Sequence, residues 1–210
     1  MRHLKLFSIF SRYLSIITLI IIISYTQGKA SNEKDLIKSK IEDFFVNLHT
    51  LDADFIQVSP SGEVSNGKLL LDLPGKLRLD YINPNNILIT CKGFWIVVQD
   101  RNSKSTNNIP LQQTPFSILL DKKINFNNKK IILNFKQELG IVTLKVQIAE
   151  NEEIGELIME FSEEPLMLKK WIIKDIVGDE TTVLIQNAKF NRDLPFRLFF
   201  PEDFLELENN

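Results

Sequence analysis

The first hydrophobic pattern along the chain has the spacing of a helix. Between residues 32 and 51 the apolar side chains recur at intervals of three and four, and polar side chains fill the other positions. This spacing places them on one stripe of an amphipathic helix. Ser31 or Asn32 is available as the cap, because either side chain can accept a hydrogen bond from a free backbone N–H. The stripe consists of Leu36, Ile37, Ile41, Phe44, Phe45, Leu48 and Leu51.

After this helix the hydrophobic period changes to two. Residues 69–73 and 77–81 alternate as half-buried strands do, and Pro74-Gly75 between them is a turn pair. With nine further alternating or apolar runs, the pattern predicts about eleven strands. Nearly all are separated by connections of hairpin length, which predicts an antiparallel, meandering sheet. The nine runs cover residues 52–58, 87–91, 94–99, 104–109, 130–136, 141–148, 155–161, 168–177 and 181–188.

One segment interrupts the series of strands. Thr114 is a capping residue, Pro115 suits the first helical position, and Phe116, Leu119 and Leu120 are apolar at helical spacing. These features predict a short helix inserted between two strands.

The first thirty residues have the organisation of a secretory signal. Arg2, Lys5 and Arg12 precede the uncharged run of residues 13–25, and residues 28–30 include the small residues that a signal peptidase reads. A membrane anchor is the alternative. The apolar run of about 12 residues is too short for it, because crossing about 30 Å of hydrocarbon takes about 20 helical residues.

We therefore expect a signal peptide over residues 1–30 and one domain over residues 31–210. No internal repeat and no linker divides that domain. No Cys stands at the cleavage site, so a lipid anchor is not expected there. In a Gram-negative host the destination would be the periplasm.

Composition excludes several classes of protein. With 44% hydrophobic and 25% charged residues, the chain is too apolar to be disordered. One Cys excludes an internal disulfide, and one Cys with two His cannot supply a structural zinc site. The formal net charge of -2 offers no basic footprint to a phosphate backbone, so nucleic acid is not expected as a partner. We expect no metal and no other cofactor.

Catalytic groups are scarce in the chain. His49, near the end of the first helix, is interpreted as a surface or C-cap residue, although an enzyme acting on lipid would need it as base. Cys91 ends an apolar strand beside Lys92, and we interpret it as a small buried hydrophobe rather than an activated thiol. The carboxylate pairs at 152–153 and 163–164 lie in predicted turns. There is no glycine-rich phosphate loop and no nucleophilic serine motif. The sequence favours a binding protein without catalytic residues.

The predicted sheet has an apolar face that must be covered. Eleven strands can pack on a second layer or curl round on themselves. Two short helices are little material for a second layer, which favours a strongly bent sheet, closed or nearly closed, with the helices over its mouth. The interior could hold an apolar ligand or be filled by the chain's own Leu, Phe and Trp side chains. Periodicity alone leaves both interpretations open.

Several stretches resemble the LolA family of periplasmic lipoprotein carriers. Residues 67–81 read GKLLLDLPGKLRLDY, and Thr114-Pro115 with Leu119-Leu120 stands where that family has its lid helix. The match runs in the right order from the first helix to about Pro201. The other matching positions are Pro84, Lys92-Gly93 before Trp95, residues 157–161, Pro165-Leu166, Trp171, Asp175, Gly178, Thr182-Val183, Leu194-Pro195 and Leu198-Phe199.

The resemblance implies a mainly β fold with some helix: an incomplete, unclosed eleven-stranded antiparallel β-barrel with a helical lid. Its apolar interior would take the acyl chains of lipoproteins. Such carriers receive cargo from an inner-membrane ABC transporter and deliver it to an outer-membrane receptor or to the outer membrane directly. A related receptor family has the same fold with a lipidated N-terminal Cys, and the absence of that Cys favours a soluble carrier, expected to be a monomer. The alternative is a lipid-sensing or lipoprotein-sensing regulatory domain of the same fold.

The resemblance and the predicted strand parity together suggest which residues line the cavity and its lid. A slip of one residue would turn the whole set of a strand outward, because side chains alternate between the two faces. The predicted lining residues are Leu69, Leu71, Leu73, Leu77, Leu79, Tyr81, Trp95, Val97, Phe116, Leu119, Leu120, Met159 and Trp171.

One position departs from the family pattern. Family members often place Arg immediately before the Pro-Gly turn, where it hydrogen-bonds the lid and favours a closed, empty state. Here that position is Leu73. Arg78 is nearby, but its parity is opposite and should point it outward. We therefore expect a lid held mainly by apolar contact, with a weaker bias toward the closed form.

Overall fold

A computed structural model describes residues 35–120, 131–148 and 155–204. The chain divides into two compact units, residues 1–41 and residues 42–210. The predicted signal segment, both candidate caps of the first helix and the carboxylate pair at 152–153 lie outside the described residues. No helix within the described ranges is long and apolar enough to cross a membrane.

The first helix, α1, covers residues 35–47 of the described chain, and the boundary between the two units falls inside it. The prediction that the helical stripe continues to Leu51 is wrong. Thr50 begins a strand whose residues pair with neighbours on both sides, with Leu51 opposite Leu71 on one side and Phe190 on the other. Two ladders of backbone hydrogen bonds outweigh the helical spacing of the last apolar residues.

Eleven strands form one antiparallel sheet in the described part of the chain. Each of the eleven predicted strands is present, with ends shifted by a few residues. Their bounds are β1 Thr50–Val58, β2 Val64–Asp72, β3 Lys76–Asn83, β4 Ile87–Lys92, β5 Trp95–Asp100, β6 Ser105–Pro110, β7 Ile131–Glu138, β8 Ile141–Ile148, β9 Glu156–Ser162, β10 Met167–Lys174 and β11 Glu180–Phe190.

The strand order is β6-β5-β4-β3-β2-β1-β11-β10-β9-β8-β7. Consecutive strands pair as a meander within β1–β6 and within β7–β11, and the pairing of β1 with β11 joins the two meanders. The edges of the sheet are β6 and β7, and they are not paired with each other. The fold is therefore an unclosed, eleven-stranded antiparallel sheet accompanied by two helices, as the sequence predicts.

The second helix, α2, covers Phe116–Leu119 and follows a 3-10 turn at Leu111–Gln113. The short helix between strands is thus confirmed, but Thr114 does not cap it. The Thr114 hydroxyl donates instead to the carbonyl oxygen of Leu111, 2.9 Å away, and so caps the end of the preceding 3-10 turn.

The chain after β11 lies against one face of the sheet. A 3-10 turn at Phe196–Phe199 and the residues up to Glu202, which we call the C-terminal strap, contact β3 and β4. Phe199 is fully buried there, and Nη1 of Arg78 donates to the carbonyl oxygen of Leu198 at 3.0 Å. Arg78 therefore points to the strap side of the sheet, as its parity predicts. The opposite face, which carries Leu77 and Leu79, is left for the candidate site.

Candidate functional site

One face of the sheet, which we call the inner face, is apolar and continuous across most of the strands. Its position follows from the register, because directly paired residues of antiparallel strands share a face. Leu71 of β2 lies opposite Leu51 of β1 and Leu77 of β3, and all three are fully buried. On the other side of β1 the inner face continues through Ile185, Val183, Trp171, Met159 and Leu144.

Seven of the predicted lining residues lie together on this face. They come from β2, β3, β9 and β10, and the paired residues include Leu69 with Leu79, Leu71 with Leu77 and Trp171 with Met159. All seven are buried. Contact with a ligand remains a prediction, whereas the common face is a property of the fold. The seven are Leu69, Leu71, Leu77, Leu79, Tyr81, Met159 and Trp171.

Two predicted lining residues, Trp95 and Val97, lie on the opposite face. Cys91 is paired with both Leu77 and Ile96, which puts Ile96 on the inner face and its two neighbours on the other. The predicted parity of β5 is therefore wrong. Residues 94–98 are all apolar, so alternation is not visible in this stretch and its parity cannot be read from the sequence. Trp95 is 53% exposed.

The predicted lid lies at the end of the sheet where the β2–β3 and β4–β5 turns meet. The backbone N–H of Gly75 donates to the carbonyl oxygen of Leu120 at 2.9 Å, and the N–H of Gly93 donates to that of Gly75 at 3.1 Å. Leu119 and Leu120 are buried and Phe116 is half-buried. The segment of α2 is thus tied to the β2–β3 turn by a backbone hydrogen bond.

Leu73 is half-buried directly before that turn, and its N–H donates to the carbonyl oxygen of His49 at 2.8 Å. Gly75 follows with a φ of 77°, a left-handed conformation that a residue without Cβ adopts at little cost. Position 73 thus directly precedes the turn whose Gly75 is hydrogen-bonded to Leu120, the residue that ends α2.

The second half of α1 covers one end of the inner face. The ring of Phe44 meets those of Phe161 and Phe190 edge to face, with centroids 5.4 and 5.9 Å apart. Phe45 contacts Phe161 in the same manner at 6.1 Å. Edge-to-face pairs of this kind stabilise beyond the area they bury. Phe44 and Phe45, both on the predicted apolar stripe of the helix, thus face the sheet.

Few polar side chains lie on the described part of the inner face, and Tyr81 and Gln57 are two of them. The Tyr81 hydroxyl donates to Oε1 of Gln57 at 2.7 Å, and burial raises the pKa of Tyr81 to about 12. Gly67 lies opposite both Phe55 and Tyr81, and a Cβ there would collide with the Asp80 carbonyl and the Phe55 ring. Sequence reasoning missed Gln57 and Phe55, although the alternation of residues 51, 53, 55 and 57 would have placed them with the lining.

The catalytic candidates within the described ranges are Cys91, His49, Glu163 and Glu164. Cys91 is fully buried on the inner face, and burial raises the pKa of its thiol to about 11, so it stays protonated. His49 is exposed and is held through its backbone, which donates to Oδ1 of Asn191 at 2.8 Å. Glu163 accepts a hydrogen bond from Gln137. Among the described residues no three His, Cys, Asp or Glu side chains are grouped as a metal site would require.

Comparison with protein families gives a match over most of the domain. A family model described as "Outer membrane lipoprotein carrier protein LolA" matches residues 46–201, which is more than half of the chain. No curated protein matches the sequence.

Solved structures similar to this chain are distant in sequence. A LolA superfamily protein from Nitrosomonas europaea has 9% identity and a TM-score of 0.44, over 78% of this chain and 97% of that one. A DUF1329 family protein from Desulfovibrio piger has 11% identity and a TM-score of 0.46, over 76% and 93%. A chain in the structure of the CwlD amidase from Clostridioides difficile in complex with the GerS lipoprotein has 14% identity and a TM-score of 0.36, over 78% and 96%.

Proposed function

The chain belongs to the LolA family of outer membrane lipoprotein carrier proteins, and from this membership we propose that it is itself a periplasmic lipoprotein carrier. It holds the acyl chains of lipoproteins against the inner face of its sheet and moves them from the inner to the outer membrane. The observation that supports this proposal most is the apolar inner face, which runs without a break from β3 through β1 to β8.

A carrier must lower the free-energy cost of holding an acyl chain in water, and an apolar face of this kind does so. Each buried methylene is worth about 0.8 kcal/mol, so a sixteen-carbon chain held in water would cost about 12 kcal/mol. An apolar surface that replaces the bilayer removes most of that cost. The same surface need not bind the cargo more tightly than a membrane does, because the cargo must leave again.

The unclosed sheet gives the acyl chains a route of entry. Edge strands β6 and β7 are not paired with each other, so the sheet can widen without the loss of ladder hydrogen bonds. The lid at α2 is tied to the β2–β3 turn by one backbone hydrogen bond from Gly75 to Leu120. Movement of the lid away from this turn would break that hydrogen bond.

The partners follow from the same proposal. Cargo would come from an inner-membrane lipoprotein-releasing ABC transporter and pass to an outer-membrane receptor or directly to the outer membrane. The protein reaches the periplasm through the signal at residues 1–30, with cleavage after Ala30. It works as a monomer without a cofactor and has no catalytic activity.

A matched pair of substitutions in β5 tests the proposal. Val97 and Val98 are adjacent, identical in type and both half-buried, but they lie on opposite faces because Val98 pairs with Ile89 and Val97 with Thr90. We expect Val98→Lys to weaken binding of a synthetic diacylglyceryl lipopeptide at least about tenfold, since a charge among acyl chains loses its hydration. Val97→Lys should bind as the wild type does.

The measurement is a titration of each purified protein, expressed as the full chain, with the labelled lipopeptide. Circular dichroism and the melting temperature of both variants serve as the folding control. Failure of the wild-type protein to bind the lipopeptide would contradict the proposed function. Equal weakening by the two variants would contradict the inner face as the binding surface.

A further inference from the structure

The side chain of Trp171 carries a buried hydrogen-bond donor that the fold leaves unused. Trp171 lies on the inner face between Val183 of β11 and Met159 of β9 and is fully buried. Its indole Nε1 has no hydrogen-bond partner among the described residues.

An unpaired donor in this position is unfavourable for the empty protein. A buried N–H loses its hydrogen bonds to water, and buried Trp side chains usually regain one from a protein group. Tyr81, on the same face, is satisfied by Gln57. A Phe at position 171 would fill the same apolar surroundings without a polar atom. Within the described part of the chain, the indole N–H is therefore left to donate to an acceptor that a ligand brings.

The other unsatisfied buried group lies elsewhere. Oγ1 of Thr90 also has no partner, but Thr90 pairs with Arg78 and Val97 and so belongs to the face covered by the C-terminal strap. Of the two unsatisfied groups, Trp171 is the one on the inner face.

The neighbours of Trp171 define the chemistry of that acceptor. Gln57, Val183, Trp171, Met159 and Leu144 form one cross-strand row, and adjacent strands are about 4.8 Å apart. The neighbouring strand on each side of the indole contributes an apolar side chain to this row, Val183 from β11 and Met159 from β9. A ligand that fits must bring a single acceptor attached to a long apolar body. The carbonyl oxygen at the head of an acyl chain has this form.

We propose that Nε1 of Trp171 donates a hydrogen bond to the carbonyl oxygen of an acyl ester held against the inner face. Trp171 thereby fixes how deep the acyl chain lies, because the ester marks the point where the chain joins its glyceryl group. This inference rests on the proposed function and adds to it a specific recognition of acyl esters. The same carbonyl occurs in lipoproteins and in membrane phospholipids.

The test compares ester and ether lipids, which differ in the carbonyl group alone. Wild-type protein is titrated with a dipalmitoylglyceryl lipopeptide and with its di-ether analogue. We expect the ester to bind about tenfold more tightly, which corresponds to about 1.4 kcal/mol. Trp171→Phe should bind the two lipids equally. Trp95→Phe, which changes the exposed Trp on the opposite face, should keep the wild-type preference.

The outcomes separate the two levels of the proposal. Equal binding of ester and ether by the wild-type protein, or a preference that persists in Trp171→Phe, overturns the role of Trp171 and leaves the carrier function intact. If the protein binds neither lipid, both the carrier function and this inference are contradicted.

A second measurement does not depend on the folding of Trp171→Phe. In Trp95→Phe the remaining Trp171 is the fluorophore, and its emission should move to longer wavelength with the ester but not with the ether. Identical spectra for the two lipids would overturn the hydrogen bond. The same pair made as phosphatidylglycerol distinguishes the sources: ester preference confined to the lipopeptide assigns lipoproteins, and ester preference in both assigns phospholipids as well.

Discussion

Burial keeps two side chains of the inner face protonated, Tyr81 of β3 and Cys91 of β4. The pKa of Tyr81 is raised to about 12 and that of the Cys91 thiol to about 11, in each case because the charged form would lose its hydration. Both groups are therefore neutral at neutral pH. The inner face therefore carries no charge at these two positions.

Leu73 directly precedes the turn that is hydrogen-bonded to Leu120 at the end of α2, and we expect this position to affect the lid. We expect Leu73→Arg to weaken retention of a diacylglyceryl lipopeptide about fivefold, since a hydrogen bond to the lid adds about 1 kcal/mol to the closed, empty form. The measurement is the dissociation of labelled lipopeptide from each protein. Leu73→Met, which keeps the apolar contact, is the control. If Leu73→Arg releases and retains lipopeptide as the wild type does, lid closure does not depend on this position.

At the scale of the elements, charged groups hold the C-terminal strap to the sheet. The guanidinium of Arg101 bonds both carboxylate oxygens of Glu202, at 2.7 and 2.8 Å, and donates to Asp80 at 2.7 Å. Gln99 adds two hydrogen bonds to the backbone of Glu202. Because bidentate, charge-assisted bonds are the strong ones, the strap covers its face of the sheet as a fixed part of the fold.

This network makes the stability of the protein sensitive to acid. The hydrogen bonds from Arg101 lower the pKa of Glu202. Burial opposes ionisation of Asp80, but hydrogen bonds from Arg101 and Arg78 outweigh it and lower its pKa as well. The stabilisation is therefore complete above the ordinary pKa values of the two carboxyls, near 4, and is lost as the pH falls below them.

Glu202→Gln tests this dependence. We expect the variant to be less stable than the wild type at pH 7 by about 2 kcal/mol, because a hydrogen bond to a charged group contributes about that much. The difference should shrink toward pH 3. Urea unfolding at several pH values measures it, with the exposed Glu164→Gln as control. A difference that stays constant from pH 7 to pH 3 would show that the carboxylate of Glu202 does not stabilise the fold.

The sequence predicts an element correctly where the hydrophobic period of the segment agrees with its strand pairing in the fold. Each strand shows an alternating or apolar run, and α2 shows its Pro and its apolar spacing. The end of α1 was misplaced because Leu48 and Leu51 continue the helical spacing by coincidence, while pairing with β2 and β11 decides the structure. The face of β5 was misplaced because a wholly apolar run has no visible parity. The pairing register of β5 with β4 determines which face each β5 side chain takes. That register depends on the β4–β5 turn rather than on the residues of β5.

At the scale of the whole sheet, the pairing of β1 with β11 joins two meanders into one surface. One meander runs from β1 to β6 and the other from β7 to β11, and the inner face crosses the junction without interruption, through Phe55 opposite Ile185. This continuity could not be read from the sequence, because it depends on a contact between residues about 130 positions apart. The resemblance of separate short stretches to one family implied it in advance.

The central claim is that this face takes up acyl chains from a membrane. Its most direct test is to incubate the protein with inner-membrane vesicles that contain a labelled lipoprotein and an active lipoprotein-releasing transporter, and to separate soluble from sedimented label. We expect the label in the supernatant, in a one-to-one complex with the chain. Label that stays in the pellet while the transporter is active would contradict the carrier function.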